Sequence, residues 1–219
     1  MDKKNLFTRY SSRKVYQCSE NITCKNFTKL MYLIISIDKF GTKTVKKFIN
    51  ANKNTVNSKN ELGWTALHIA VMNARKFELQ GIIESLINNG ANINATDNDG
   101  ATPLILAAEY ANTLSTIDTV KLLLYRKAAI DLKNIYGHTP FMLAVYRSNK
   151  TSNDKTVEIL LDRGADINTV DIEGDTALIL SAWYSNRSSS IDTVRLLLDR
   201  GADINIKDFN GRTALMKAA

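Results

Sequence analysis

The chain has 219 residues, 44% of them hydrophobic and 23% charged, with a formal net charge of +7. That composition excludes a disordered chain, and the length suits one to two ordinary domains. The longest apolar run, residues 30–37 with Ser36 inside it, is well short of the ~20 residues that span a bilayer. It follows a polar, basic stretch, so neither a transmembrane segment nor a secretory signal is expected, and the chain reads as cytoplasmic.

The charge is uneven. Residues 1–60 hold 13 Lys/Arg against 3 Asp/Glu, and residues 61–219 hold 16 against 19. The basicity therefore belongs to the N-terminal segment. A basic arm can touch nucleic acid or another acidic surface, but a solvated leader over residues 1–27 is the preferred reading. Cys18 and Cys24 are too few for a disulfide framework in this length and suit a reducing compartment. A zinc site needs four ligands, and the two histidines lie far along the chain, so no metal is expected.

Residues 28–62 read as a degenerate capping unit. Residues 30–37 resemble a first helix and residues 44–50 a second, leading through Asn57 to Gly63. An internal repeat then dominates. Gly63-Trp-Thr-Ala-Leu-His-Ile-Ala70 recurs from Gly100, Gly137, Gly174 and Gly211, each copy 37 residues after the last. A second element recurs in phase, as in Val157-Glu-Ile-Leu-Leu-Asp-Arg-Gly-Ala-Asp-Ile-Asn168 and its copy from Val194. The units are 63–99, 100–136, 137–173, 174–210 and a partial 211–219.

Gly-x-Thr-Pro/Ala-Leu is a turn followed by a short helix. The Thr hydroxyl caps orphan amides, and Pro in the first turn loses no hydrogen bond. The second helix is amphipathic, starts from polar residues such as Ser115 or Ser189 with Asp118 or Asp192 three positions on, and ends at a Gly suited to a left-handed cap. Lys127 stands where the other copies have that Gly. One such unit cannot bury both faces of its helix pair, so the units must stack into a solenoid. The last copy has no second helix, so either the chain is a fragment or its end exposes Leu215 and Met216, and fraying is expected there.

These motifs resemble those of the ankyrin-repeat family: the Thr-Pro-Leu-type helix start, the Leu-Leu second helix, the Gly-Ala-Asp-Ile-Asn turn and the Asp-x-x-Gly finger. The resemblance implies an all-α solenoid of helix-turn-helix units with projecting β-turn fingers. The family repeat is usually ~33 residues, and here the additional residues fall between the two helices, at 74–79, 111–116, 148–154 and 185–191. The last three are polar loops by composition. Long repeats rich in Asn, Lys and Ile are similar to ankyrin proteins of giant DNA viruses of amoebae, with intracellular bacteria as the second source.

The resemblance further implies a monomeric, non-enzymatic protein without cofactor that binds a protein, a host protein if the source is viral. Contact would be made by the finger tips and the exposed side of the first helices. With the tips taken as the two residues before each Gly and the one after, that surface includes Leu62, Trp64, Ile135, Tyr136, His138, Ile172, Phe209 and Arg212. The first-helix ends add Tyr110, Tyr146, Arg147, Trp183 and Tyr184. Aromatic and Arg side chains are common hot spots, and Trp64, Tyr136 and Trp183 are the expected anchors. Tyr110, Tyr146 and Tyr184, read as equivalent positions, have a second reading in which they pack under the linkers.

His68 occupies the family's common His slot, where a structural bond to a neighbouring turn is expected, and His138 has no nucleophile beside it. No phosphate loop, dinucleotide fingerprint or catalytic triad can be assembled. Sequons at Asn21, Asn26, Asn149 and Asn186 carry no weight without a signal peptide. Two other functions stand beside protein binding: nucleic-acid or acidic-surface binding through the basic segment, and service as the targeting part of a longer protein.

Overall fold

The computed structural model describes residues 27–77, 79–185 and 188–219. Cys18, Cys24, most of the leader and the sequons at Asn21, Asn26 and Asn186 lie outside the described residues. The N-terminal unit contains α1 (Lys29–Ile35), α2 (Ile37–Phe40) and α3 (Thr42–Ala51). The apolar run expected as one helix is divided at Ser36, whose φ of −104° and ψ of 28° leave the helical region.

Each of the next four units pairs a short first helix with a longer second one, and residues 211–219 contribute a first helix alone. The first helices are α4 (Ala66–Met72), α7 (Pro103–Glu109), α9 (Pro140–Tyr146), α11 (Ala177–Trp183) and α13 (Ala214–Ala218). The second helices are α6 (Gln80–Asn88), α8 (Ile117–Tyr125), α10 (Asp154–Asp162) and α12 (Ile191–Asp199), and the linker after α4 forms a one-turn helix, α5 (Ala74–Phe77). First helices pack on first helices and second on second along the array. Among the described residues the only β pairing is two isolated bridges, so the fold is an all-α solenoid.

The repeated residues explain the regularity. Thr102, Thr139 and Thr176 are extended and accept the backbone N–H three residues on with their hydroxyls, satisfying a donor that each helix start leaves orphaned. Every residue of α7 and α9 is buried. On the second helices Leu86, Leu123, Leu160 and Leu197 recur every 37 residues and are each 0% exposed. Burying one such side chain contributes about 1.5–3 kcal/mol, and stacking is what buries it.

The second-helix caps stand one residue later than expected. Thr116, Asn153 and Ser190 cap α8, α10 and α12. Ser115 and Ser189 are buried because their own backbone N–H groups donate back to the carbonyls of Tyr110 and Tyr184, closing the linker. Linkers also bond one another: Arg75 N donates to Leu114 O (3.1 Å), Asn112 N to Thr151 O (2.9 Å) and Asn149 N to Ser188 O (3.2 Å). The residues that lengthen the repeat thus tie neighbouring units together.

Lys127 adopts φ +66°, where Gly90, Gly164 and Gly201 adopt +81° to +89°. Leu215 and Met216 are 81% and 61% exposed.

Candidate functional site: the row of fingers

Every finger is built on one carboxylate or amide. Asn60, Asp97, Asn134, Asp171 and Asp208 recur every 37 residues. Each accepts, through Oδ1, the backbone N–H groups two and four positions on at 2.8–3.0 Å. The Gly three residues after each adopts φ of +73° to +80°, a region costly for other residues.

The fingers are also bonded to one another. Asn98 N donates to Leu62 O (3.0 Å), Ile135 N to Asp99 O (3.0 Å), Ile172 N to Tyr136 O (3.2 Å) and Phe209 N to Glu173 O (3.0 Å). A Cβ built on Gly137 would lie 2.7 Å from Ile172 N, whereas one on Gly211 meets nothing within 4 Å. The row is therefore a hydrogen-bonded ladder that holds the tips in fixed register. One model for ankyrin repeats in three copies matches residues 30–134 and 111–208.

The chain belongs to the ankyrin-repeat family.

Three curated ankyrin repeat proteins of Acanthamoeba polyphaga mimivirus are similar to it. L86 is 45% identical over 65 residues (29% of this chain, 11% of the relative), and L289 is 44% identical over 70 residues (29% and 12%). L122 is 47% identical over 64 residues (28% and 10%). The match thus spans about a tenth of the length of each relative, and these relatives are viral, as the sequence resemblance led one to expect of similar proteins.

The ankyrin fingers divide the expected contact residues into two groups. Ile135, Ile172 and Phe209 occupy the same slot in three successive fingers and are 56%, 54% and 77% exposed. Leu62 is exposed one position off that slot, and Tyr136 is half-buried. The residue after the Gly, expected at the tip, turns inward in the inner fingers, while Arg212 after Gly211 stays half-exposed. Trp64 and His138 are buried. Trp64 donates Nε1–H to Asp97 Oδ2 at 3.1 Å, and His138 Nε2 lies 3.4 Å from Asp171 Oδ2. The second carboxylate oxygen of the next finger attracts them, and that oxygen was not legible as a partner from spacing alone. His68 has the expected bridging role: Nδ1 accepts the Thr65 N–H (3.1 Å) and Nε2 reaches the Ala101 carbonyl (3.2 Å). A backbone N–H only donates and a carbonyl only accepts, so this arrangement selects the neutral Nε2–H tautomer.

The first-helix ends are largely covered. Tyr110, Tyr146 and Arg147 are buried, and Trp183 and Tyr184 are half-buried. Tyr110, Arg147 and Tyr184 share one slot, and their carbonyls accept the N–H groups of the following linker. Tyr146 belongs to the register of Glu109 and Trp183 instead, so its expected equivalence to Tyr110 and Tyr184 is corrected. Its ring packs edge-on to Tyr184, with centroids 4.8 Å apart, under the Arg147 guanidinium at 4.7 Å. The long linkers fold over what the resemblance implied was a contact surface.

One cluster escaped the repeat pattern. Lys217 fills a slot that holds Ile69, Leu106, Leu143 and Leu180 in the other units. Its Nζ lies 2.8 Å from Asp175 Oδ1 and 2.9 Å from Asp208 Oδ2, with the Trp183 ring centroid at 4.2 Å. Arg212, half-exposed, also pairs with Asp208, at 2.9 Å. Burial raises the Asp208 pKa, but the Arg212 backbone N–H and the side chains of Lys217 and Arg212 outweigh it. The carboxyl is held well below the usual carboxylate range. The signal available beforehand was a charged residue in an apolar slot, paired with an Asp in the slot of Trp64. Among the described residues no group of His, Cys, Asp and Glu is arranged to hold a metal, and no helix is long and apolar enough to cross a membrane.

Proposed function

We propose that this chain is a protein-docking scaffold whose partner lies along the finger tips. The observation that carries this reading is the row Ile135, Ile172 and Phe209: three exposed apolar side chains in one slot of three hydrogen-bonded fingers. None of the three belongs to the hydrophobic core, although the Phe209 ring lies against Gly174. A contiguous apolar strip on a surface marks an interaction site, and a rigid strip loses little entropy on binding.

Leu62 is exposed two fingers toward the N-terminus, separated from the strip by the polar tip Asn98-Asp99. Tyr136, Trp183 and Arg212 are the strip's partly accessible neighbours, supplying the aromatic and guanidinium groups that dominate interface energetics. Trp64 and His138 support the strip from within, whereas Tyr110, Tyr146 and Arg147 pack at the linker ends of the first helices. The reading assigns no catalysis to the chain. Because the relatives are much longer than the matched region, it also accommodates a docking role within a larger protein.

The test is a pull-down from amoebal lysate with the wild-type chain and with Ile135→Ser/Ile172→Ser/Phe209→Ser, followed by affinity measurement on the partner recovered. The expected result is an unchanged circular dichroism spectrum and at least a hundredfold weaker binding. Full retention of binding by the folded triple variant would remove the finger tips from the site.

A further inference from the structure

The N-terminal unit has a surface unlike the rest of the array. Residues 27–60 contain seven lysines, no arginine and one acidic residue, Asp38, and all seven lysines are exposed. Lys43, Lys46 and Lys47 project from α3, whose apolar Val45 and Ile49 are turned inward. None of the three forms an ion pair with a described residue. The other long second helices mix signs or are acidic, with Glu84 on α6, Asp118 and Lys121 on α8, Asp154, Lys155 and Glu158 on α10, and Asp192 and Arg195 on α12. Among the described residues, a second helix whose charged side chains are all lysines is thus found only at this end of the array.

Beside it stands an exposed aromatic pair. Tyr32 on α1 and Phe40 on α2 are 51% and 40% exposed, with ring centroids 6.0 Å apart at an interplanar angle of 61°. Lys29 is one helical turn before Tyr32, and Lys43 is three residues after Phe40. Lysines flanking accessible rings meet two requirements at once: charge for a phosphate backbone and a π face for an unpaired base.

We propose that this face binds single-stranded nucleic acid, independently of the finger tips. A duplex keeps its bases stacked within the helix, out of reach of the rings. A bilayer would need a wider apolar surface than the two rings of Tyr32 and Phe40 provide, since the outward face of α3 offers mainly Lys, Thr and Asn. An acidic protein would use the lysines and cover the rings, but an unpaired base stacks on an exposed aromatic face while its own phosphate meets a lysine.

The test is fluorescence anisotropy of the full chain with a 20-nucleotide poly(U), a duplex of equal length, poly-glutamate and anionic vesicles as separate probes. Poly(U) should bind most tightly, with log K falling against log salt at a slope of about −2 to −3, as for three to four phosphates neutralised on a single strand. Lys43→Glu/Lys47→Glu should weaken poly(U) binding at least tenfold at low salt with an unchanged circular dichroism spectrum. Tyr32→Ser/Phe40→Ser should weaken poly(U) severalfold and leave weak duplex binding as it was. The proposal is overturned if poly(U) does not bind. It is equally overturned if duplex, poly-glutamate or vesicles bind as well as poly(U), or if the folded charge-reversed variant binds undiminished.

Discussion

Trp64 donates its indole N–H to Asp97 across 3.1 Å, joining one finger to the next. The same carboxylate shapes its own turn by accepting the N–H groups of Asp99 and Ala101 through its other oxygen. One residue thus serves both local geometry and stacking. A hydrogen bond to a charged group is worth roughly 1.5–3 kcal/mol. Trp64→Phe, which keeps most of the ring and loses the donor, should destabilise the array by about that amount. A urea unfolding curve checks this, and partner affinity of the folded variant should be unchanged. Unchanged stability with lost affinity would return Trp64 to the docking surface.

Lys127 offers a gain in place of a loss. Its φ of +66° lies in the left-handed region, at a position where three other units carry Gly. No Cβ clash arises at the equivalent Gly90, Gly164 or Gly201, so the cost at Lys127 is one of backbone conformation alone. Lys127→Gly should stabilise the protein by about 1 kcal/mol. The reciprocal Gly164→Lys should destabilise it by a similar amount. A lower urea midpoint for Lys127→Gly would contradict the conformational argument.

Gly137 and Gly211 separate two costs that coincide in most fingers. Both have positive φ, +77° and +76°, so Ala at either position bears a conformational penalty of about 1 kcal/mol. At Gly137 the new Cβ would also meet the backbone of Ile172 at 2.7 Å, while at Gly211 it meets nothing. Gly137→Ala should therefore cost more than Gly211→Ala in thermal unfolding. It should also raise amide hydrogen exchange at Ile172, whose N–H donates to Tyr136 O in the ladder. Equal costs would mean that the fingers yield to the methyl group without loss.

Much of this was legible in the residues because stacking repeats the same environment every 37 positions. Thr102, Thr139 and Thr176 at the helix starts, Leu123 and Leu160 in the core and the finger glycines can each be read from one unit and checked in the next. Ile135, Ile172 and Phe209 were legible as exposed for the same reason. Trp64 and His138 were not, because their direction is set by a carboxylate one finger away, which local spacing does not reveal. Tyr110 and Tyr146 were left open between two readings, since the bonds that close each linker over them join residues in different units. Lys217 was missed although it breaks an aliphatic slot. Its meaning depends on Asp175 and Asp208, which only the folded stack brings beside it.

The Lys217 cluster yields the pH prediction. Asp208 is held well below the usual carboxylate range. A carboxyl whose folded pKa is depressed binds fewer protons folded than unfolded, so its contribution to stability is fully present above the unfolded value of about 3.9. It is lost as pH falls below that value toward the folded one. The stability difference between the wild-type chain and Asp208→Asn should therefore be constant from pH 7 to about pH 5 and should narrow below about pH 4. Urea midpoints across that range measure it. Lys217→Met, which leaves Asp175 and Asp208 buried without their shared cation, should be strongly destabilising at pH 7, by about 3 kcal/mol or more. Its deficit should shrink in acid as the two carboxyls protonate. A Lys217→Met deficit that grows as pH falls would show that the lysine does not act by neutralising those carboxylates.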